Sequence, residues 1–411
     1  MKIFLRGVRG FTRRPASPAR KIRSSGFAII DEAVEIEEER MPHYKTSVYY
    51  PVRIGDIFHD RYQVLNKLGY GANSTVWFCR DLRQHNYVAL KICINSSIVN
   101  REVEVFKHIA ATRSKHSGAS YVRSMQDSFE IKGPASVHQC LVQEPMLASL
   151  YDLQCALNPK SLTEALLKSA LQYIFAGLDY LHSEAHVVHT DLQAKNIMLA
   201  CSDPTVFKEW ERMEEEEPSP RKVDGDQVIY KSRQDFALRK YLQAIGPCMI
   251  ADLGMARIGK QHEGFIQPEI YRAPEVMLCM PWGSAADIWN IGVMIWDLFE
   301  EGHMFSPGGD NRKISNARML GEMIALLGPP SQEFLRRADE TLAYWNHEGQ
   351  WKGFAEIPDY SLEDCEVYLE GENKKLFMSF MRKMLQWEPE KRATARELLQ
   401  DEWLNSSTKG V

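Results

Sequence analysis

His189-Thr190-Asp191-Leu192-Gln193-Ala194-Lys195-Asn196-Ile197-Met198-Leu199 carries an Asp, an Asn five positions later, and then an apolar run. That spacing suits a phosphoryl-transfer loop, with a carboxylate near an attacking hydroxyl and an amide on a metal ion. Enzymes acting on small molecules also use an H-x-D-x-x-x-x-N loop. The residues before and after it therefore decide its reading.

Upstream, Tyr62 to Gly69 alternates like a strand. Gly69-Tyr70-Gly71-Ala72-Asn73-Ser74 follows, then Thr75 to Cys79, a polar turn over 81–86, and Tyr87 to Cys93. These are signals of an antiparallel meander whose first hairpin is rich in glycine. A dinucleotide fold needs a helix after the glycines, and none is predicted. A flap over nucleotide phosphates fits instead, because glycine lets backbone N–H groups approach an anion. Ser74 stands where a third glycine is usual, and a plain hairpin is the competing reading. Val88-Ala89-Leu90-Lys91 puts a lysine inside a strand, which is costly to bury unpaired. A phosphate and a carboxylate would satisfy it. Glu102, on a helix predicted over 99–110, is the candidate carboxylate, with Glu104 as the fallback. His138 to Gln143 reads as another strand, and Glu144-Pro145-Met146 as a hinge.

Downstream the pattern turns helical, over 162–182, 285–301, 316–327, 374–385 and 395–404. Ile250-Ala251-Asp252-Leu253-Gly254 supplies a second acid, suited to Mg²⁺. Ala273-Pro274-Glu275 follows about twenty residues later. Glu275 is expected to pair with Arg392, and Asp287 to brace the backbone of the 189–196 loop.

The chain has 411 residues and net charge −5, which offers no electrostatic case for nucleic-acid binding. Its 8 Cys include no C-x-x-C pair and read as reduced, intracellular core residues. No apolar run approaches the roughly 20 residues of a membrane span. Residues 1–30 contain Lys and Arg but no Asp or Glu, among them Arg6, Arg9, Arg13, Arg14 and Arg20. They read as a disordered tail or an organelle transit peptide. Asp31 to Glu39 reads as a solvated acidic linker, and Glu214-Glu215-Glu216-Glu217-Pro218-Ser219-Pro220 as part of a partly disordered insertion.

Together these parts resemble the eukaryotic protein kinase family over about residues 58–404. Tyr50 to Asp56, Leu68 to Trp77, the His-Thr-Asp and Asp-Leu-Gly triplets and the insertion after Leu199 are similar to the SR-protein-kinase family, which phosphorylates Ser in Arg/Ser-rich splicing factors. The resemblance implies a two-lobed α+β fold. Its β-rich N-lobe would span 51–143 and its mainly helical C-lobe 144–404, with the insertion at about 201–247, a disordered tail over 1–50 and a C-terminal tail over 405–411. ATP and Mg²⁺ are the implied cofactors. Asp191, Lys195, Lys91 and Glu102 are the implied catalytic residues. Gly69, Tyr70, Gly71, Ala72, Asn73, Ser74, Val76, Ala89, Lys91, Glu144 and Met146 would hold nucleotide, and Asn196 and Asp252 metal. Gln143 would back the adenine pocket.

The family pattern further implies a monomer that acts on protein substrates in the cytoplasm or nucleus, without nucleic-acid or membrane contact. Thr190 stands where an Arg would receive an activation-loop phosphate, and 255–270 contains no Ser, Thr or Tyr, so activity without loop phosphorylation is expected. Gln193, Lys195 and Pro268 resemble the tyrosine-kinase arrangement and leave Tyr or relaxed hydroxyl specificity as an alternative, beside a pseudokinase scaffold. The family's acidic docking groove corresponds here to Glu300, Glu301, His303, Asp310, Arg312 and Lys313, a mixed surface.

Overall fold

The structure, a computed structural model, describes residues 15–23, 25–41, 44–94, 97–225, 227–233, 238–306, 308 and 312–407. Arg6, Arg9, Arg13, Arg14, Asp310 and the side chain of Lys313 lie outside the described residues. The chain forms two units. The smaller takes 1–95, 126–145 and 204–236, and the larger takes 96–125, 146–203 and 237–411.

The small unit is built on a six-stranded sheet of β1 (Ile57–Phe58), β2 (Tyr62–Gly71), β3 (Ser74–Asp81), β4 (Asn86–Cys93), β5 (Met125–Lys132) and β6 (Val137–Gln143). Its order is β1-β2-β3-β4-β6-β5. The β2–β3 hairpin stays paired to its tip, where Gly71 faces Ser74, with register shifts between Val64 and Asn66 and between Lys67 and Gly69. One face buries Val64, Trp77, Cys79, Leu90 and Val142 with Tyr230.

That last residue corrects the expected disorder of the insertion. Residues 205–216 form a helix, and Arg221–Asp224 pairs with Gln227–Tyr230 as a hairpin. The helix sets Phe207 and Trp210 against Phe78, with ring centres 6.0 and 5.7 Å away. Burying each aromatic contributes on the order of 2 kcal/mol. The glutamate run is only partly solvated, since buried Glu214 accepts from Ser219 N–H at 2.8 Å and pairs with Arg233 Nη1 at 2.8 Å. Residues 234–237 of the insertion lie outside the described residues.

The disordered tail over 1–50 is corrected likewise from residue 15 on. Gln63 exchanges two hydrogen bonds with the Arg20 backbone, at 2.9 and 2.8 Å. Ile29 bridges Arg221. The acidic patch is partly buried because cations meet it there: Glu38 and Glu37 face Lys67, and Glu39 pairs with Lys222 Nζ at 2.8 Å. Lys67 is fully buried, so these carboxylates remove a large desolvation cost.

In the large unit, Thr163 caps the helix Glu164–Asp179, which buries Leu167, Leu171, Ile174 and Leu178 at helical spacing. The helix Ala285–Phe299 is buried almost all round. A three-stranded sheet of Ala148–Ser149, Ile197–Cys201 and Ile245–Ile250 stands beside them. Residues 189–196 span the gap between the short strand Val187–Val188 and Ile197–Cys201. The single helix expected over 395–404 is two, because Asp401 caps a new turn by accepting Trp403 N–H at 2.8 Å. Of the expected C-terminal tail, Asn405 ends that turn and Ser406 accepts from Lys168 Nζ at 2.8 Å, while 408–411 lie outside the described residues.

Candidate active site

In the large unit, Asp287 sits in the first turn of the helix Ala285–Phe299 and is fully buried. Its two carboxylate oxygens accept the His189 and Thr190 backbone N–H groups at 2.7 and 2.8 Å. This is the bracing expected of it. His189 Nε2 donates to the Ala251 carbonyl at 2.9 Å, and its Nδ1 accepts the Asp191 N–H at 3.3 Å. Those partners fix one neutral tautomer. His189 thereby ties the Asp191 loop to the strand end that leads into Asp252.

Asp191 is held by neutral donors. Gln193 Nε2 donates to its Oδ1 at 2.7 Å and Asn196 Nδ2 to its Oδ2 at 3.0 Å. Asn196 also donates to the Asp191 carbonyl at 2.8 Å. Burial pushes the Asp191 carboxyl up from its ordinary value; nearby Asp252 adds to this, while the Lys195 charge and the Asn196 hydrogen bond oppose it. Asp252 is exposed, with a left-handed backbone at φ 60°. Lys195 is exposed and Asn196 buried. Two carboxylates and an amide, all oxygen donors in one cluster, suit a hard cation that keeps some positions for water and substrate oxygens. Among the described residues no group of three His, Cys, Asp or Glu could hold a metal by itself. The donor set fits Mg²⁺ held jointly with phosphate oxygens, and not a closed protein cage.

The segment after Asp252 is pinned by uncharged hydrogen bonds. The Thr190 hydroxyl donates to the Met255 carbonyl at 2.8 Å. The Thr190 carbonyl accepts Gln267 N–H at 3.1 Å. Gln267 Nε2 donates to Ala286 O at 2.8 Å, and its Oε1 accepts Ala273 N–H at 2.9 Å. Thr190 itself has φ 71°, strained for a β-branched residue and held by bonds at its N–H, C=O and hydroxyl. Glu275 and Arg392 form the expected pair, bidentate at 2.6 and 2.7 Å.

Glu102 is buried on the helix Ser97–Thr112, and Glu104 is exposed. Met146 is buried in the same unit. Asp297 is spent on Tyr271 Oη at 2.8 Å and His303 Nδ1 at 2.6 Å.

The small unit carries the remaining predicted residues. Lys91 lies on β4 between Val76 of β3 and Leu141 of β6. Ala89 pairs with Gln143, and both are buried. Glu144 is exposed. Gly69, Tyr70, Gly71 and Ser74 form the end of the hairpin that turns through Ala72-Asn73. A side chain added at Gly69 or Gly71 would meet no atom within 4 Å, which leaves open space beside the backbone for an anion. Sequence reasoning missed Tyr49, whose hydroxyl reaches this hairpin; no motif marks it.

Comparison with known proteins agrees with this geometry. The protein kinase domain family matches residues 62–219 and 225–404. A serine/threonine protein kinase of Aspergillus fumigatus is 55% identical over 96% of this chain and 97% of its own. The serine/threonine-protein kinase SRPK of Physarum polycephalum is 30% identical over 90% of this chain and 91% of its own. SRSF protein kinase 3 of Mus musculus is 23% identical over 95% and 94%. A crystal structure of a kinase domain shares the fold, with TM-score 0.65 and 21% identity, over 87% of this chain and 99% of that one.

The chain belongs to the protein kinase family, with its two-lobed α+β fold. More narrowly it is an SRPK-like serine/threonine protein kinase, an ATP-dependent phosphotransferase. The tyrosine-like letters Gln193, Lys195 and Pro268 therefore do not change its hydroxyl class.

Proposed function

We propose that this kinase phosphorylates Ser or Thr in Arg/Ser-rich, splicing-factor-like proteins, and that it does so without a phosphate in its activation segment. The observation that carries the second part is the Thr190 hydroxyl on the Met255 carbonyl. An arginine there would need a phosphate to neutralise it; a threonine closes the same loop with one neutral hydrogen bond. Relatives named SRPK and SRSF protein kinase support the substrate class. The family resemblance supports a cytoplasmic or nuclear location, with organelle targeting by the basic N-terminus as the alternative; among the described residues no helix is long and apolar enough to cross a membrane.

ATP supplies the γ-phosphoryl group. Asp252 and Asn196 would hold Mg²⁺, which would supply positive charge against the phosphates. Asp191 orients the acceptor hydroxyl and takes its proton. Its oxygens are fixed by Gln193 and Asn196, so little reorganisation is needed when the hydroxyl arrives. Lys195, four positions after Asp191, faces the γ-phosphate as a compact positive charge. Lys91 engages the α- and β-phosphates, and Glu102 is the carboxylate of the site. The hairpin from Gly69 to Val76 covers the phosphates. Ala89, Glu144 and Met146 receive the adenine.

A degenerate peptide array incubated with the enzyme and ATP–Mg²⁺ tests the substrate reading. Transfer to Ser flanked by Arg is expected. Indifference to Arg would overturn it.

A further inference from the structure

The geometry points to Tyr49 as a positioning residue for ATP: its hydroxyl clamps the tip of the glycine-rich hairpin and fixes where the phosphate-binding N–H groups stand. This rests on reading residues 69–76 as the hairpin over the nucleotide.

Tyr49 Oη lies 3.0 Å from the Gly71 carbonyl and 3.1 Å from the Ala72 carbonyl. One O–H proton is thus shared between consecutive carbonyls on the turn. Carbonyl orientation sets the orientation of the following N–H groups, since each peptide unit is planar. Holding the carbonyls of Gly71 and Ala72 therefore aims the N–H groups of Ala72 and Asn73. The neighbouring Asn73 carbonyl is held by the Ile94 N–H at 2.9 Å. Three successive carbonyls at the tip are thus occupied.

The tyrosine is itself fixed. It is buried, and its ring centre lies 5.3 Å from that of Tyr44. Burial pushes its hydroxyl pKa up, so it stays a donor across the physiological range. The segment that carries it is anchored to the same strand lower down. Glu38 and Glu37 meet Lys67, two residues before Gly69. Lys67 Nζ also donates to the Tyr230 carbonyl at 3.2 Å and stands 5.3 Å from the Tyr70 ring centre. The segment grips the hairpin at its stem through charge and at its tip through Tyr49. It touches the tip through carbonyl oxygens and leaves the space beside Gly69 and Gly71 open.

The test is steady-state kinetics on the full chain with Tyr49→Phe, which keeps the ring and removes the hydroxyl. The expected result is a KM for ATP raised about fivefold, the factor of one neutral hydrogen bond. The kcat at saturating ATP should stay within about twofold, and peptide KM and the melting point of the free protein should hardly move. Amide exchange over residues 69–76 should quicken. An unchanged ATP KM, or a fall in melting point with proportional loss of all activity, overturns the clamp. Gly71→Val serves as the companion variant, filling the open space beside the hairpin. If it raises the ATP KM while Tyr49→Phe does not, the hairpin reading stands and the clamp fails. If neither moves it, the hairpin reading fails as well.

Discussion

The hydroxyl of Thr190 donates to the carbonyl of Met255 at 2.8 Å, joining the residue before Asp191 to the start of the segment that follows Asp252. Thr190→Val keeps the shape and removes the bond. We expect kcat/KM to fall about fivefold, in line with one lost hydrogen bond. Intact-mass measurement of fully active enzyme should show no phosphate between residues 252 and 275. Activity that disappears on phosphatase treatment and maps to that segment would refute the idea.

Two neutral donors, Gln193 and Asn196, hold the Asp191 carboxylate. Asp191→Ala is expected to lower kcat by about 10²–10⁴-fold, the span of a lost general base. The melting point should change little, because the fold hangs on Asp287 and not on Asp191. Gln193→Ala should cost about tenfold in kcat with ATP affinity retained. Wild-type turnover in the Asp191 variant would remove it from the mechanism.

Glu275 and Arg392 are both buried, and their bidentate contact is supported by Arg392 Nη1 donating to the Ala285 carbonyl at 2.9 Å. Removing one partner strands the other charge away from water. Arg392→Ala should therefore destabilise the protein by about 3–5 kcal/mol. Urea denaturation would read it; a loss below about 1 kcal/mol would mean that water reaches Glu275.

Glu300 is buried near Glu366, and burial first, then that neighbour, pushes its carboxyl up to about 7. Its folded value lies above the unfolded one, so the protonated form favours folding. That contribution is complete below about pH 4.5 and is lost as pH rises through about 7. Allowing for partial solvent screening, the loss is on the order of 2 kcal/mol. Glu300→Gln should be more stable relative to wild type at pH 8 than at pH 5.5. Unfolding curves that keep a constant offset between the two pH values would contradict this.

The loop over 189–196 was readable because its residues are local: Asp191, Asn196 and the run beginning at Ile197 lie within a few residues, and Asp252 announces itself with Gly254. The helices were readable from period. What stayed hidden is held by partners far apart in sequence. Glu37 and Glu38 look solvated until Lys67 is placed beside them, and Glu214 until Arg233 is. The periodic run Val206, Phe207, Trp210 was the available sign that the insertion has an apolar face. The tail had no such sign, and Tyr49 acts through a single oxygen that no pattern of side chains reveals.

The small unit is assembled from three separated stretches of chain. On the ribosome, β6 is complete at Gln143, yet Tyr230, which closes one face of the sheet, follows roughly 90 residues later. At roughly 5–20 residues per second the wait is on the order of ten seconds. Until then Phe78 has Tyr87 stacked on it but not Phe207 or Trp210, and Lys67 lacks the Tyr230 carbonyl. The core of the small unit is therefore completed only once the insertion has been made.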